Sequence, residues 1–270
     1  MWVGLLLACV LAASARAQVV VVTLLDGEAA LVDGTRRVAA APGVRVPPGA
    51  LIETTAASAV LRLESSDRSV VDLRPGTRAM LLPPVFAARG GKAPLLYLLA
   101  GWAKVTSPDK EPAGSVVTPA IELMPFTGAA VVATGKEGAS VFAESGALEV
   151  ADRGSARRHP LKTGALFSAG SVDARPSAAW LARVPRAFRD PLPRRGAQYA
   201  EKPVSGTPLP GPSYAQLADW LAAEPAVRRD FPQRFEALAH DAAFRRDLQQ
   251  HLPAHPEWAR VLNPPETKKP

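Results

Sequence analysis

Leu-Ile-Glu-Thr-Thr-Ala-Ala-Ser-Ala-Val-Leu-Arg-Leu-Glu-Ser-Ser-Asp-Arg-Ser-Val-Val-Asp-Leu-Arg-Pro-Gly-Thr-Arg-Ala-Met-Leu-Leu-Pro, residues 51–83, is the stretch that decides the fold. Ala59, Leu61 and Leu63 fall on one face, with Arg62 and Glu64 on the other. Val71 and Leu73 share a face that Asp72 and Arg74 oppose. A period of two marks a half-buried β-strand, whereas a helix would not gather these polar residues on one side. Ser65-Ser66-Asp67 and Pro75-Gly76 are turn clusters. The stretch predicts three short strands joined by tight turns, a scaffold without a catalytic pattern.

The same logic extends in both directions. Residues 18–24 are apolar and β-branched, as in a strand buried on both faces. Asp26-Gly27 and Asp33-Gly34 are turn signals, because glycine accepts a positive φ without steric cost. A small residue, a glycine and then an alternating strand recur at Leu99-Ala100-Gly101-Trp102 and at Glu144-Ser145-Gly146-Ala147. A second element, x-x-Gly-Ala-Leu followed by an apolar residue, occurs at Pro47-Pro48-Gly49-Ala50-Leu51-Ile52 and at Lys162-Thr163-Gly164-Ala165-Leu166-Phe167. The irregular spacing excludes a clean solenoid and predicts coiled or stacked β-layers with two similar rungs. Residues 116–123, 128–134 and 139–143 read as strands, and 87–93 and 107–114 as loops. Gly27, Gly34, Gly49, Gly76, Gly146 and Gly164 are the expected structural turns.

These motifs resemble the FecR-domain family, whose usual run is G-x-V, L-x-x-G-D-x-I-x-T, S-x-A-x-L-x-L-x-D-G-S and v-x-L-x-P-x-T. Here it stands as Gly27-Glu28-Ala29, then Val46-Pro47-Pro48-Gly49-Ala50-Leu51-Ile52-Glu53-Thr54. It continues as Ser58-Ala59-Val60-Leu61-Arg62-Leu63 and Val71-Asp72-Leu73-Arg74-Pro75-Gly76-Thr77. Later family positions match Thr118-Pro119, Val141, Gly146 to Val150 and Leu161 to Gly164. The chain departs from the family at Asp67-Arg68-Ser69, where Asp-Gly-Ser is usual, and at Pro125-Phe126-Thr127-Gly128, where Arg-Gly-Thr is usual. The resemblance implies a mainly β domain, FecR-like, that receives a signal from a periplasmic or outer-membrane protein. The family's usual plan adds a cytoplasmic region that binds a sigma factor; here an export signal comes first, which implies a stand-alone exported form lacking that anti-sigma region.

Residues 2–13 are apolar but too short to span a bilayer, and Ala15-x-Ala17 is a cleavage site for a signal peptidase. The expectation is a cleaved signal peptide at 1–17, a periplasmic location and no membrane span after cleavage. No Lys or Arg precedes the apolar run; an uncleaved anchor or a lipoprotein signal at Cys9 is the alternative. Cleavage after Ala17 removes Cys9, the only cysteine, and leaves neither disulfide nor thiol. Net charge is +7. In an exported chain that balance suits an anionic envelope polymer or an acidic protein surface. With 6% aromatic residues and no basic-aromatic interleaving, nucleic acid is not an expected partner.

Residues 173–212 hold eight prolines and seven Lys or Arg against three acids. They read as a Pro/Arg-rich semi-rigid tether, with one short helix near 178–183. Arg189, Arg194 and Arg195 are the candidate partner contacts. Beyond lies a small α-helical C-terminal region: Ser213 and Gln216 form a capping box, Asp241 is an N-cap, and prolines at first helical positions keep the helices short. Trp220 and Trp258 read as packing anchors. The expected division is a signal peptide at 1–17, the β domain at 18–174, the linker at 175–212, short helices at 213–262 and a disordered tail at 263–270.

Catalytic, cofactor and metal sites are not expected. His251 and His255 have zinc-ligand spacing, but Pro253 intervenes and no acid or cysteine completes a set. Glu64 with Asp67, and Asp26 with Glu28, are acid pairs at strand ends, where carboxylates are normally solvated. The reading is a non-enzymatic interaction or signalling module for a protein partner; the alternative is a module that holds peptidoglycan or another anionic envelope polymer.

Overall fold

The computed structural model describes residues 18–263, except 87, 90, 91, 109, 191, 200 and 201. The export signal read at 1–17 and, Asn263 aside, the tail read at 263–270 lie outside the described residues. The chain is mainly β, with small helices at its C-terminal end.

The first half forms β1 (Val20–Asp26), β2 (Ala29–Asp33), β3 (Arg36–Ala39), β4 (Arg45–Val46), β5 (Leu51–Thr54), β6 (Val60–Ser65), β7 (Val70–Leu73), β8 (Arg78–Leu81) and the long β9 (Leu96–Thr106). Then come β10 (Val116–Val117), β11 (Ile121–Leu123), β12 (Ala129–Gly135), β13 (Gly138–Ser145), β14 (Leu148–Asp152), β15 (Arg158–Leu161), β16 (Leu166–Ser168) and β17 (Ser171–Asp173). A late strand, β18 (Pro208–Leu209), returns to the sheet.

The strands pair into one curled sheet with two layers. The first layer runs β4-β1-β6-β7-β9-β12-β13-β16-β17. The second runs β18-β3-β2-β5-β8-β9-β10-β11-β14-β15, antiparallel except for β9 and β10. β9 belongs to both. Leu96 and Leu98 of its first half and Ala103 and Val105 of its second half point into the shared core, so the inward parity switches near Gly101. At that switch Gly101 has φ +101°. Thr77 holds the bend, its hydroxyl bonded to the Trp102 N–H and to the Trp102 carbonyl, both at 3.2 Å.

The recurring glycine motif has a physical reason here. The chain passes between layers at Gly27, Gly101 and Gly146, and φ is +97°, +101° and +84° at these positions. The core between the layers joins Val22, Leu61, Leu63, Val71 and Leu73 of the first to Leu31, Ile52, Leu81 and Leu123 of the second.

Two strand expectations need correction. Residues 51–83 hold four strands, not three. Ala79 and Leu81 of β8 face the core while Met80 faces the helices, so this strand is buried on both sides and carries no alternation to read. Residues 116–123 form two strands rather than one. The Thr118 hydroxyl accepts N–H bonds from Ala120 (3.2 Å) and Ile121 (3.0 Å) and reverses the chain.

The helices are α1 (Ala178–Arg183), α2 (Tyr214–Leu221), α3 (Pro225–Arg228), α4 (Phe231–Arg234), α5 (Ala242–Gln250) and α6 (Ala259–Leu262). α2 starts on the complete Ser213/Gln216 capping box, worth about 1 kcal/mol, and the Asp241 carboxylate caps α5 through the Phe244 N–H at 2.8 Å. Except for α1, the helices cover the outer face of the second layer. Trp220, Trp258, Phe231 and Phe235 bury completely or nearly so against Val32, Leu51, Met80, Tyr97 and Val117. Two arginines fasten this cap. Arg153 forks onto the Glu224 carboxylate at 2.5 and 2.6 Å, and Arg234 donates to the Gly49 carbonyl at 2.6 Å.

A buried histidine makes the cap pH-sensitive. His255 is 3% exposed and shares a 2.9 Å hydrogen bond with the Tyr214 hydroxyl. Burial pushes its imidazole below the ordinary value; Glu257 opposes this, while Arg228 and His251 add to it. The unfolded chain therefore binds the proton more readily, and stability falls as pH drops through the ordinary histidine range near ~6.5, then levels off below the folded value. Urea unfolding read by Trp220 and Trp258 fluorescence from pH 8 to 5 should show that fall, and His255→Gln should flatten it. An unchanged slope in the variant would assign the pH dependence elsewhere.

Candidate functional site

The outer face of the first layer carries a row of charges across neighbouring strands. Arg62 on β6 lies opposite Asp72 on β7, and Asp72 opposite Lys104 on β9. Cross-strand neighbours of opposite sign attract. Here they touch: Arg62 grips Asp72 with two bonds, at 2.7 and 3.0 Å, and Lys104 pairs with Glu144 of β13 at 2.6 Å. Burial works against the Arg62 charge, but the hydrogen-bonded Asp72 carboxylate outweighs it, with Glu64 adding, and holds the guanidinium above its ordinary value.

Arg62 and Asp72 are buried, and Lys104 is largely withdrawn from solvent. The Pro/Arg-rich segment expected to be a tether lies along this row as a strap. Its aromatic anchors enter the sheet surface: Trp180 of α1 and Phe188 pack with Trp102, Val131 and Leu166. Between and beyond them the strap meets the charges through its main chain. Lys104 donates to the Phe188 carbonyl at 2.7 Å and Arg62 to the Leu192 carbonyl at 2.8 Å. The Glu64 carboxylate accepts the Thr23 hydroxyl at 2.8 Å and the N–H groups of Arg195 and Gly196 at 2.9 and 2.8 Å. Glu64 is thus buried, at 6% exposure, against the expectation of a solvated strand end. The strap then reaches the sheet margin, where Val204 bridges Val44 and β18 pairs with β3.

Beside Glu64 lies a cavity of about 590 Å³, bounded by Val19, Val21, Arg45, Arg68, Arg194 and Tyr199. The candidate contact residues all belong to this strap. Arg189 donates to the Leu181 carbonyl at 2.8 Å and so caps α1. Arg194 donates to the Arg68 carbonyl at 2.7 Å. The side chain of Arg195 is exposed, while its N–H is held by Glu64.

No protein-family model matches this chain, and no curated protein matches it.

The turn glycines Gly27, Gly34, Gly49, Gly76, Gly146 and Gly164 all have positive φ, between +57° and +97°. They shape the layers and do not converge on one site. Among the described residues, no three His, Cys, Asp or Glu side chains are grouped to hold a metal ion. His255 is engaged by Tyr214, and Tyr214 stacks on His251 with ring centroids 5.0 Å apart, so the histidine pair serves packing. Sequence reading missed the charge row and its cover. The available signal was the pair of large aromatics, Trp180 and Phe188, inside a stretch otherwise fit for a linker.

One sheet margin differs from the other. At the β3 and β4 end the returning segment covers the margin, whereas at the far end β17 pairs only with β16 among the described residues, and β15 only with β14. β15 carries Arg158 and Pro160, residues that blunt an edge. β17 carries Val172, 41% exposed. The two-residue turn Ala169-Gly170, with φ +49° and +77°, closes the β16–β17 hairpin on Ser168 and Ser171. Val172, paired with Phe167, is next along the strand, at a position whose N–H and C=O point away from β16.

Proposed function

We propose that this chain is a non-enzymatic, exported, FecR-like interaction module that binds a protein partner by strand addition at β17. The observation that carries this reading is the outward-facing peptide group of Val172 on a margin that no strand covers among the described residues, beside an exposed apolar side chain. The opposite margin supports it, because there the chain already adds a strand of its own, β18, to β3. Strand addition takes affinity from main-chain bonds and specificity from alternate side chains. The periplasmic location and the FecR-like role belong to the same proposal and rest on the sequence motifs.

The test places a photo-crosslinking residue at position 172, with position 137 on the β12–β13 turn as control, in cells that make the full chain. A discrete protein adduct at 172 is expected. Removing the outward donor with Val172→Pro, checked for retained fold, should abolish binding of the identified partner, and binding should change little with ionic strength. Equal capture at both positions, or binding that proline leaves intact, would overturn strand addition. Steep salt dependence with retention on cell-wall sacculi would favour the anionic polymer.

A further inference from the structure

The strap is held by its main chain. Among the described residues, three side chains grip the main chain of 188–196: Lys104 at the Phe188 carbonyl, Arg62 at the Leu192 and Pro193 carbonyls, and Glu64 at the N–H groups of Arg195 and Gly196. Each gripping side chain is fixed independently of the strap, Lys104 by Glu144, Arg62 by Asp72, and Glu64 by Thr23. The row is therefore preorganised to offer donors and acceptors at set positions along the strap, from the short helical turn that ends at Phe188 through Leu192 to the one that opens at Gly196. Pro193 and Arg195 keep their side chains exposed, Arg194 lays its guanidinium on the Arg68 and Ser107 carbonyls, and Phe188 alone among the described residues of this segment is deeply buried. A surface that reads carbonyls and N–H groups at these intervals discriminates by backbone shape more than by side chain. Proline lowers the entropy cost of presenting that shape.

We propose that the outer face of the first layer is a peptide-binding surface for a proline-containing segment of a partner protein, and that the strap is its internal occupant. This is a second surface, independent of the β17 margin. A partner segment supplies the same carbonyl to Arg62 and the same N–H pair to Glu64 once the strap lifts. In the free chain the strap competes at an effective concentration on the order of millimolar, which keeps the surface closed to weak ligands.

The probe is a fluorescein-labelled peptide with the sequence of residues 186–199, titrated against the full chain by fluorescence polarisation. Binding to the unaltered chain should be weak. Phe188→Asp removes the anchor and should tighten binding at least tenfold. A second variant keeps Phe188 but replaces residues 189–195 with a Gly-Ser run of equal length, and should show the same gain should Phe188→Asp fail to fold. Adding Lys104→Met and Glu64→Gln to the released chain should reverse the gain, and a probe with glycine in place of its prolines should bind several-fold more weakly. A folded released chain that gains no affinity, or one whose affinity survives loss of Lys104 and Glu64, would overturn the proposal.

Discussion

Arg62→Ala should cost about 3–5 kcal/mol of stability, because it strands the Asp72 carboxylate in a covered site. The Arg62 and Asp72 side chains are only 9% and 3% exposed and share two hydrogen bonds. Asp72 has no water to turn to while the strap stays seated, and Arg62 also holds the strap through Leu192. The double replacement Arg62→Met with Asp72→Leu should instead lie within about 2 kcal/mol of the parent, since it removes both charges and leaves the Leu192 and Pro193 carbonyls in need of a donor. Urea denaturation of the single and double variants measures both. A loss below about 1 kcal/mol for Arg62→Ala would mean that water reaches Asp72 and that the strap is not a continuous cover.

Gly101→Ala should cost a similar amount, about 3–5 kcal/mol, for a steric reason. Its φ of +101° suits glycine, and a Cβ there would lie 2.5 Å from the Thr77 hydroxyl oxygen and 2.7 Å from the Thr77 Cα. Thr77 cannot yield, being fully buried and bonded to both polar groups of Trp102. Strained φ and overpacking each cost about 1–3 kcal/mol, and here they add. Gly76→Ala is the control. It also has positive φ, +67°, but nothing lies within 4 Å of its Cβ position, so only the left-handed penalty of about 1–2 kcal/mol applies. Equal thermal shifts for the two variants would show that β9 tolerates a displaced bend.

The alternation in 51–83 made the β architecture legible, and Leu61, Leu63, Val71 and Leu73 face the core as their spacing requires. The repeated small-residue-glycine element was visible as a pattern, yet its meaning as a passage between layers was not, because Gly27 and Gly101 are constrained by Ser58 and Thr77, which periodicity does not connect to them. Capping residues were legible because a cap acts within four residues. Burial of Arg62 and Glu64 was not, since their cover arrives from Leu192 and Arg195, about 130 residues away. A tether and a strap have the same composition, and the difference lies in what faces them. The β17 margin, open among the described residues, was equally hidden, for such an edge is defined by the strand that fails to arrive.

The double membership of β9 has a consequence for how the molecule comes apart. Its first half is bonded to β8 and β10 and its second half to β7 and β12, so its central amides are shielded from both sides. Neither layer can open without breaking the other's middle strand. Hydrogen exchange at Ala103 and Val105 should then proceed only through global unfolding, while Val172 exchanges by local fraying. The sandwich should then unfold as one cooperative unit, with its two faces, one under helices and one under the strap, sharing a single melting transition.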